Sequence, residues 1–188
     1  MFHLSKIKQI LRLQPQSLNL PLIDAIKIEL EALFLDKVVA NLGLCISIYD
    51  ILSIDGGFIF PGDGCPTYEV IMRLVMFQPF VGEIISGKIE ESSKDGLRLS
   101  LGFFNDIHVP AAQLEQKYKR GDDDIWVWDY ESQYLHLDLN EEVTFKVISV
   151  KYPPIPAQQD ANSKPFAPMI IEADVTEDGL GVVSWWQD

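Results

Sequence analysis

The sequence has few of the residues that build metal sites and disulfide frameworks. Its 188 residues include two cysteines, Cys45 and Cys65, and three histidines, His3, His108 and His136. The cysteines form no Cys-x-x-Cys pair, and no histidine lies at metal-ligand spacing from a cysteine or from another histidine. Two isolated cysteines, one on a predicted strand and one in a predicted loop, fit a reducing interior better than a disulfide framework.

Other absences exclude whole classes of function. The sequence contains no Gly-x-Ser-x-Gly elbow, no phosphate-binding Gly-Lys-Ser/Thr loop and no dinucleotide-binding glycine fingerprint. Its acidic residues include no pair set apart for general acid–base work, and the run 122–124 fits an acidic loop better than a divalent-ion site. No segment approaches the roughly 20 apolar residues that span a bilayer. We therefore expect a protein that is not an enzyme, with no cofactor, no metal and no membrane partner.

Positive charge is scarce, and its distribution bears on nucleic-acid binding. The net charge is −13 at pH 7. Residues 1–80 contain six basic and eight acidic residues, whereas residues 81–188 contain nine basic and twenty acidic residues. Nonspecific binding of nucleic acid depends on neutralisation of phosphates by Lys and Arg. We therefore expect this chain alone to bind RNA weakly, through local stacking and through basic surface supplied by partners.

The residues that are present predict two small domains, 1–80 and 81–188. Hydrophobic residues make up 47% of the chain, which is enough for a packed core. Alternation over 68–77 predicts a strand with one wholly apolar face, which ends before Pro79 because proline cannot donate to a sheet ladder. The first domain is predicted to be α+β, a small antiparallel sheet with one helix packed on it.

The single helix of the first domain is predicted near residues 20–35. Asn19 offers a cap and Pro21 a first-turn proline. The apolar face of this helix is expected to comprise Ile23, Ile26, Leu30, Leu33 and Phe34. Further along, Asp55-Gly56-Gly57 predicts a turn that separates two β segments.

The second domain resembles an S1-type OB fold, a small β-barrel commonly used on single-stranded nucleic acid. Strands are expected near 82–91, 96–101, 106–109, 125–131, 142–151, 169–174 and 181–186. A short helix is expected over 110–116. The proline-rich segment 153–168 is expected to be a flexible loop within this domain.

Several motifs share their order with a known family. They are Phe60-Pro61-Gly62-Asp63-Gly64, Val75-Met76-Phe77-Gln78-Pro79-Phe80, Gly87-Lys88-Ile89, Leu101-Gly102-Phe103-Phe104-Asn105-Asp106-Ile107, Trp126-Val127-Trp128-Asp129-Tyr130-Glu131, and Gly179-Leu180-Gly181 followed by Trp185-Trp186. Over essentially the whole chain, the sequence resembles the larger stalk subunit of archaeal and eukaryotic RNA polymerases. The last three motifs resemble the RNA polymerase III version of that family.

This resemblance implies a nuclear, non-catalytic subunit that acts by binding. The resemblance implies docking on the RNA polymerase III core through Phe60, Pro61, Gly62, Asp63 and Gly64. The alternative is that these residues form a plain tight turn with no docking role. The implied partners are the core subunits, a smaller helical stalk subunit that forms a heterodimer with this chain, and initiation factors. Single-stranded nascent RNA is a further candidate partner.

Five residues of the barrel are candidates for RNA contact: Lys88, Arg98, Phe103, Phe104 and His108. An OB fold reads single strands through exposed aromatic and cationic side chains on its second and third strands. One of Phe103 and Phe104 should face outward. The alternative is that these aromatic residues close the barrel or face a partner protein.

The tryptophans are candidates for a partner interface. One face of a predicted strand carries Trp126, Trp128 and Tyr130. This face is expected to belong either to the barrel core or to an interface with a partner protein. Trp185 and Trp186 would point to opposite faces of a strand, which leaves Trp186 for a partner. Two other functions remain open: a free-standing S1-type RNA-binding module, and a stalk subunit of another RNA polymerase.

Overall fold

The computed structural model describes residues 1–121, 125–130, 133–154 and 166–186. The chain forms two compact units, Met1–Gln78 and Pro79–Asp188. The acidic run 122–124 and most of the segment 153–168 lie outside the described residues. No described helix has the length and apolar character needed to cross a membrane.

The N-terminal unit is a four-stranded antiparallel sheet with one long helix. Its elements are β1 (Phe2–Arg12), a 3-10 helix (Pro15–Asn19), α1 (Leu22–Phe34), β2 (Val38–Val39), β3 (Gly43–Ile59) and β4 (Pro66–Phe77). The strand order is β1-β4-β3-β2, so β4 is paired along both edges. This is the small sheet-plus-helix domain that the sequence predicts.

The core of this unit follows from the alternation of β4. Val70, Met72, Leu74 and Met76 are fully buried, while the residues between them are half-buried. Ala25, Ile26 and Leu30 of α1 belong to the same hydrophobic cluster. The predicted apolar face of β4 is therefore confirmed, and the burial of its side chains against the helix stabilises the sheet.

Two local predictions in this unit are wrong. Asn19 does not cap α1, because the N-cap is Pro21 and no side chain supplies the capping hydrogen bond. Ile23 and Leu33 are exposed rather than buried, since the buried positions of α1 are confined to its middle turns. The apolar periodicity continues to the helix ends, but the contact with the sheet does not.

The predicted turn at Gly56 and Gly57 is instead a bulge inside β3. The register of β3 against β4 shifts between Gly56 and Phe58, and both glycines have positive φ, +106° and +88°. A Cβ at Gly56 would come within 2.9 Å of the Thr67 carbonyl oxygen. Glycine here bends a continuous 17-residue strand rather than ending it.

The C-terminal unit is built around a closed barrel. Its elements are β5 (Ile84–Ser93), β6 (Gly96–Ser100), β7 (Ile107–Pro110), α2 (Ala111–Leu114), β8 (Tyr118–Arg120), β9 (Trp126–Tyr130), β10 (Gln133–His136), β11 (Glu142–Lys151), β12 (Ile170–Asp174), β13 (Gly181–Val182) and a 3-10 helix (Val183–Trp186). The ring runs β5-β6-β7-β12-β11 and closes because β11 pairs with both β12 and β5. The β7–β12 pairing is parallel. The five-stranded closed barrel confirms the predicted OB fold.

A separate three-stranded sheet, β10-β9-β8, is inserted between β7 and β11 of the barrel. The sequence predicts β9 but neither of its partners, because three- and four-residue strands are too short to show alternation. Trp126 of β9 is 2% exposed, and its indole Nε1 donates to the Ser93 carbonyl oxygen at 3.2 Å. The prediction of Trp126 as a partner contact is therefore wrong: its ring belongs to the core.

We expect Leu74→Ala to lower the free energy of unfolding of the N-terminal unit by roughly 2–5 kcal/mol, because Leu74 is fully buried and its loss leaves a cavity. All four tryptophans lie in the other unit, so we would measure native-state hydrogen exchange of the β4 amides. Leu52→Ala, on the exposed side of β3, is the control and should change the free energy by about 0.5 kcal/mol or less. An equal loss in both variants would contradict the assigned core.

Candidate docking turn and nucleic-acid interface

The predicted docking residues form the connection between β3 and β4. The Asp63 N–H donates to the Phe60 carbonyl oxygen at 2.9 Å, which closes a turn around Pro61 and Gly62. Gly62 has φ of +82°, a conformation that L residues with a Cβ rarely adopt. The turn geometry inferred from the Pro-Gly-Asp-Gly sequence is therefore present.

The residues that lead into this turn are apolar and exposed. Phe58, Ile59 and Phe60 are 72%, 62% and 61% exposed. Phe58 and Phe60 line a shallow recess of about 390 Å³ together with Ile10 of β1. We call residues 58–64 the tip. A cluster of large exposed apolar side chains is typical of a surface that binds another protein.

Asp63 is held by Arg12, the last residue of β1, which pairs with Thr67 at the start of β4. Nη2 of Arg12 donates to both carboxylate oxygens of Asp63 at 2.6 Å. The hydrogen bond and charge of Arg12 hold the pKa of Asp63 below its usual range, and Asp63 in turn raises the pKa of Arg12. No local sequence signal marks Arg12, since it lies 51 positions before Asp63 in the chain. Phe58 and Ile59 could have been found, because they extend the apolar run before Pro61.

The predicted RNA contact Arg98 is surrounded by carboxylates. Its guanidinium lies 3.8 Å from Glu90, 4.0 Å from Glu91 and 3.6 Å from Asp106. Its Nε also donates to the Asn105 carbonyl oxygen at 2.9 Å. A cation already paired in this way offers little to a phosphate, because binding would require the carboxylates to be displaced or repelled.

His108 lies in the same cross-strand row as Arg98, between that residue and Glu172. Glu172 is itself engaged by Lys151 and Ser149, at 2.5 Å and 2.7 Å. These hydrogen bonds, with a smaller contribution from His108, lower the pKa of Glu172. This part of the barrel surface therefore consists of paired charges of both signs rather than a positive groove.

The remaining RNA candidates are separated from that row. Lys88 is exposed and lies with Gly102 along a cleft of about 440 Å³. Phe103 follows Gly102 and is 48% exposed, whereas Phe104 is 8% exposed. The expectation that one of the two phenylalanines faces outward holds for Phe103. The prediction of Phe104 as an RNA contact is wrong, because its ring is buried with the barrel core.

The other tryptophans are divided between an aromatic cluster and the surface. The Trp128 ring centroid lies 4.7 Å from that of Tyr130 and 6.0 Å from that of Trp185, with Lys117 Nζ 3.9 Å above the ring. The C-terminal tryptophans lie in a 3-10 helix rather than the predicted strand. Trp186 is half exposed, and its Nε1 donates to the Leu180 carbonyl oxygen at 3.3 Å.

Within the described ranges, no group of three or more His, Cys, Asp or Glu side chains is arranged to hold a metal ion. Both cysteines are free thiols. Cys45 is buried, and desolvation raises its pKa. The notable features of this chain are thus a turn with exposed apolar residues and a charge-paired barrel.

Comparisons with known proteins agree with this architecture. Residues 8–64 match the SHS2 domain found in the N terminus of Rpb7p, Rpc25p and MJ0397. Residues 83–186 match the model for RNA polymerase III subunit Rpc25. The two domains together define a class, the Rpb7-like subunits of RNA polymerases.

Within that class, the chain belongs to the Rpc25 family of RNA polymerase III subunits. It is 37% identical to the DNA-directed RNA polymerase III subunit RPC8 of Bos taurus over 201 residues, which cover 99% of this chain and 98% of the bovine protein. It is 34% identical to RPC8 of Saccharomyces cerevisiae over 214 residues, with full coverage of both chains. Similarity to the RNA polymerase II subunit RPB7 of the same yeast covers 31% of this chain.

We expect the Asp63 carboxyl to titrate below about pH 3.9, the ordinary value for aspartate. Because the folded-state pKa is lowered, the Arg12 interaction stabilises the folded turn above about pH 3.9 and is lost as pH falls through the lowered value. Carboxyl ¹³C NMR would measure this midpoint, and Arg12→Gln should raise it. Asp50, whose pKa is lowered by Arg73, is the internal control. An unchanged Asp63 midpoint in Arg12→Gln would contradict the assignment.

Proposed function

We propose that this chain is the larger stalk subunit of nuclear RNA polymerase III and that it acts by binding rather than by catalysis. The N-terminal unit, with residues 1–80 as the docking domain, attaches to the polymerase core through Phe60–Gly64. The observation that carries this proposal is the tip, which presents three adjacent large apolar side chains to solvent in a chain that resembles polymerase III subunits along its whole length.

The apolar tip supports docking on protein rather than on nucleic acid. Phe58, Ile59 and Phe60 carry no charge, and the Asp63 carboxylate is already paired with Arg12. Burial of these side chains in a protein surface is favourable because it removes apolar area from water. A phosphate backbone would find no unpaired cation in the tip.

The proposal includes a heterodimer with the smaller helical stalk subunit. Exposed apolar residues of α1, among them Ile23, Ile28 and Leu33, and the half-exposed Trp186 are available to protein partners. Trp128 is half-buried, and the exposed part of its ring is also assigned to contact with a protein partner. The assembled stalk would stabilise the closed polymerase clamp and assist recruitment of initiation factors.

Contact with nascent RNA, where it occurs, is assigned to Lys88 and Phe103 rather than to Arg98 and His108. Lys88 lines a cleft with Gly102, the residue before Phe103, and that cleft includes one carboxylate, Glu142, whereas three carboxylates lie within 4.0 Å of Arg98. A negatively charged barrel weakens the binding of phosphates more than it weakens the stacking of a base on Phe103, because stacking does not require a nearby cation. The C-terminal unit therefore contributes a small stacking site, with other subunits supplying the basic surface.

Deletion of Pro61–Gly64 should release the stalk from the polymerase and leave the stalk heterodimer intact. We would purify the tagged variant from cells and identify the co-purifying subunits. A variant that replaces these four residues with serine and glycine keeps the loop length and should give the same result, which separates docking from folding. Co-purification of the core subunits with both variants would show that docking lies elsewhere. Recovery of RNA-processing proteins without polymerase by the wild-type chain would overturn the stalk proposal.

Phe103→Ala in the assembled polymerase should reduce crosslinking of nascent RNA to this subunit. Base stacking on an aromatic ring contributes about 1–3 kcal/mol per base, so we expect the crosslink yield to fall several-fold. Tyr134→Ala removes another exposed aromatic residue, from the inserted sheet, and serves as the control. Equal yields for the two variants would argue against a stacking role for Phe103.

A further inference from the structure

The turn at the tip is not held by packing. A Cβ at Gly62 or at Gly64 would meet no atom within 4 Å. Phe60 and Pro61 on the same turn are also exposed. A loop in open space samples many conformations unless hydrogen bonds restrict it. The conformation of this turn must therefore come from its polar contacts.

Asp63 supplies those contacts. Its N–H donates to the Phe60 carbonyl oxygen at 2.9 Å, and its Oδ1 accepts from the Cys65 N–H at 3.3 Å. The same carboxylate receives both hydrogen bonds from Arg12, each 2.6 Å long. Close by, the Leu13 N–H donates to the Pro66 carbonyl oxygen at 3.0 Å, which fixes the end of β1 beside the start of β4. Arg12 thus joins the end of β1, which is hydrogen-bonded to β4, to a turn whose glycines lie in open space.

We propose that Arg12 is a positioning residue for docking: it fixes Asp63 and balances the negative charge of that residue, so that Phe60 and Pro61 are presented in one conformation. This inference rests on the proposed docking function. Arg12 and Asp63 are both partly exposed, with side chains 59% and 28% accessible. An exposed ion pair contributes little to global stability, so the consequence of its loss should appear in docking rather than in folding.

The test measures binding of the full chain to RNA polymerase III depleted of this subunit, by biolayer interferometry. Arg12→Gln and Asp63→Asn should each weaken binding by about tenfold, because the turn must then be ordered on docking. The double variant Arg12→Gln/Asp63→Asn should bind no more weakly than either single variant, since both remove one interaction. Hydrogen exchange at the Cys65 amide should accelerate in Arg12→Gln while the β4 amides remain protected.

Lys8→Gln is the matched control. It breaks an ion pair of the same kind between β1 and β4, in which Lys8 Nζ lies 2.7 Å from Glu69. We expect this variant to bind like the wild type and to leave Cys65 exchange unchanged. Weakening equal to that of Arg12→Gln would overturn the proposal, because the effect would then reflect the charge of the sheet in general.

Two results separate this proposal from the docking proposal on which it rests. Wild-type binding by Arg12→Gln, together with loss of binding on deletion of Pro61–Gly64, would overturn the role of Arg12 alone. Wild-type binding by the deletion variant would overturn docking through the turn and the role of Arg12 with it. Additive effects of Arg12→Gln and Asp63→Asn would also overturn the proposal, because the two residues would then act independently.

Discussion

The register of β4 is the constraint on which the N-terminal unit depends. β4 is paired with β1 on one edge and with β3 on the other, and its alternate residues from Val70 to Met76 are fully buried. A slip of one residue would turn these side chains to the opposite face, so the register is strongly fixed. The same register places Arg12 opposite Thr67, at the start of β4. The contact between Arg12 and Asp63 is therefore a consequence of core packing elsewhere in the sheet.

Closure of the barrel determines which charged side chains of the C-terminal unit lie next to one another. The β6–β7 and β7–β12 pairings bring Arg98, His108 and Glu172 into one cross-strand row. Carboxylates from β5 and from the segment before β7 complete the surroundings of Arg98. The surface on which OB folds commonly bind nucleic acid is thus largely neutralised from within. The excess of acidic residues in the barrel is therefore partly offset by ion pairs on this face.

Much of the fold could be predicted because long strands with one buried face show their period directly. The alternation of β4 and β11, and the helical period of α1, belong to this group. Short elements could not be predicted: β8 and β10 have three and four residues and depend on β9 for pairing. At the site, the turn at Pro61 was evident from proline and glycine chemistry. The burial of Trp126 and Phe104 was not, since an aromatic residue on a strand has the same local pattern in a core as at an interface.

The sequence by itself determined the two-domain order, the main strands, the turn at Pro61 and the excess of negative charge in the second half. Each of these depends on neighbours along the chain or on composition. The tertiary structure decided which cations are paired, which aromatic rings are buried, and which residue holds Asp63. Those properties depend on contacts between distant segments, such as the contact between Arg12 and Asp63, which lie 51 positions apart. Such contacts leave no local pattern, because they form when strand register and barrel closure bring the segments together.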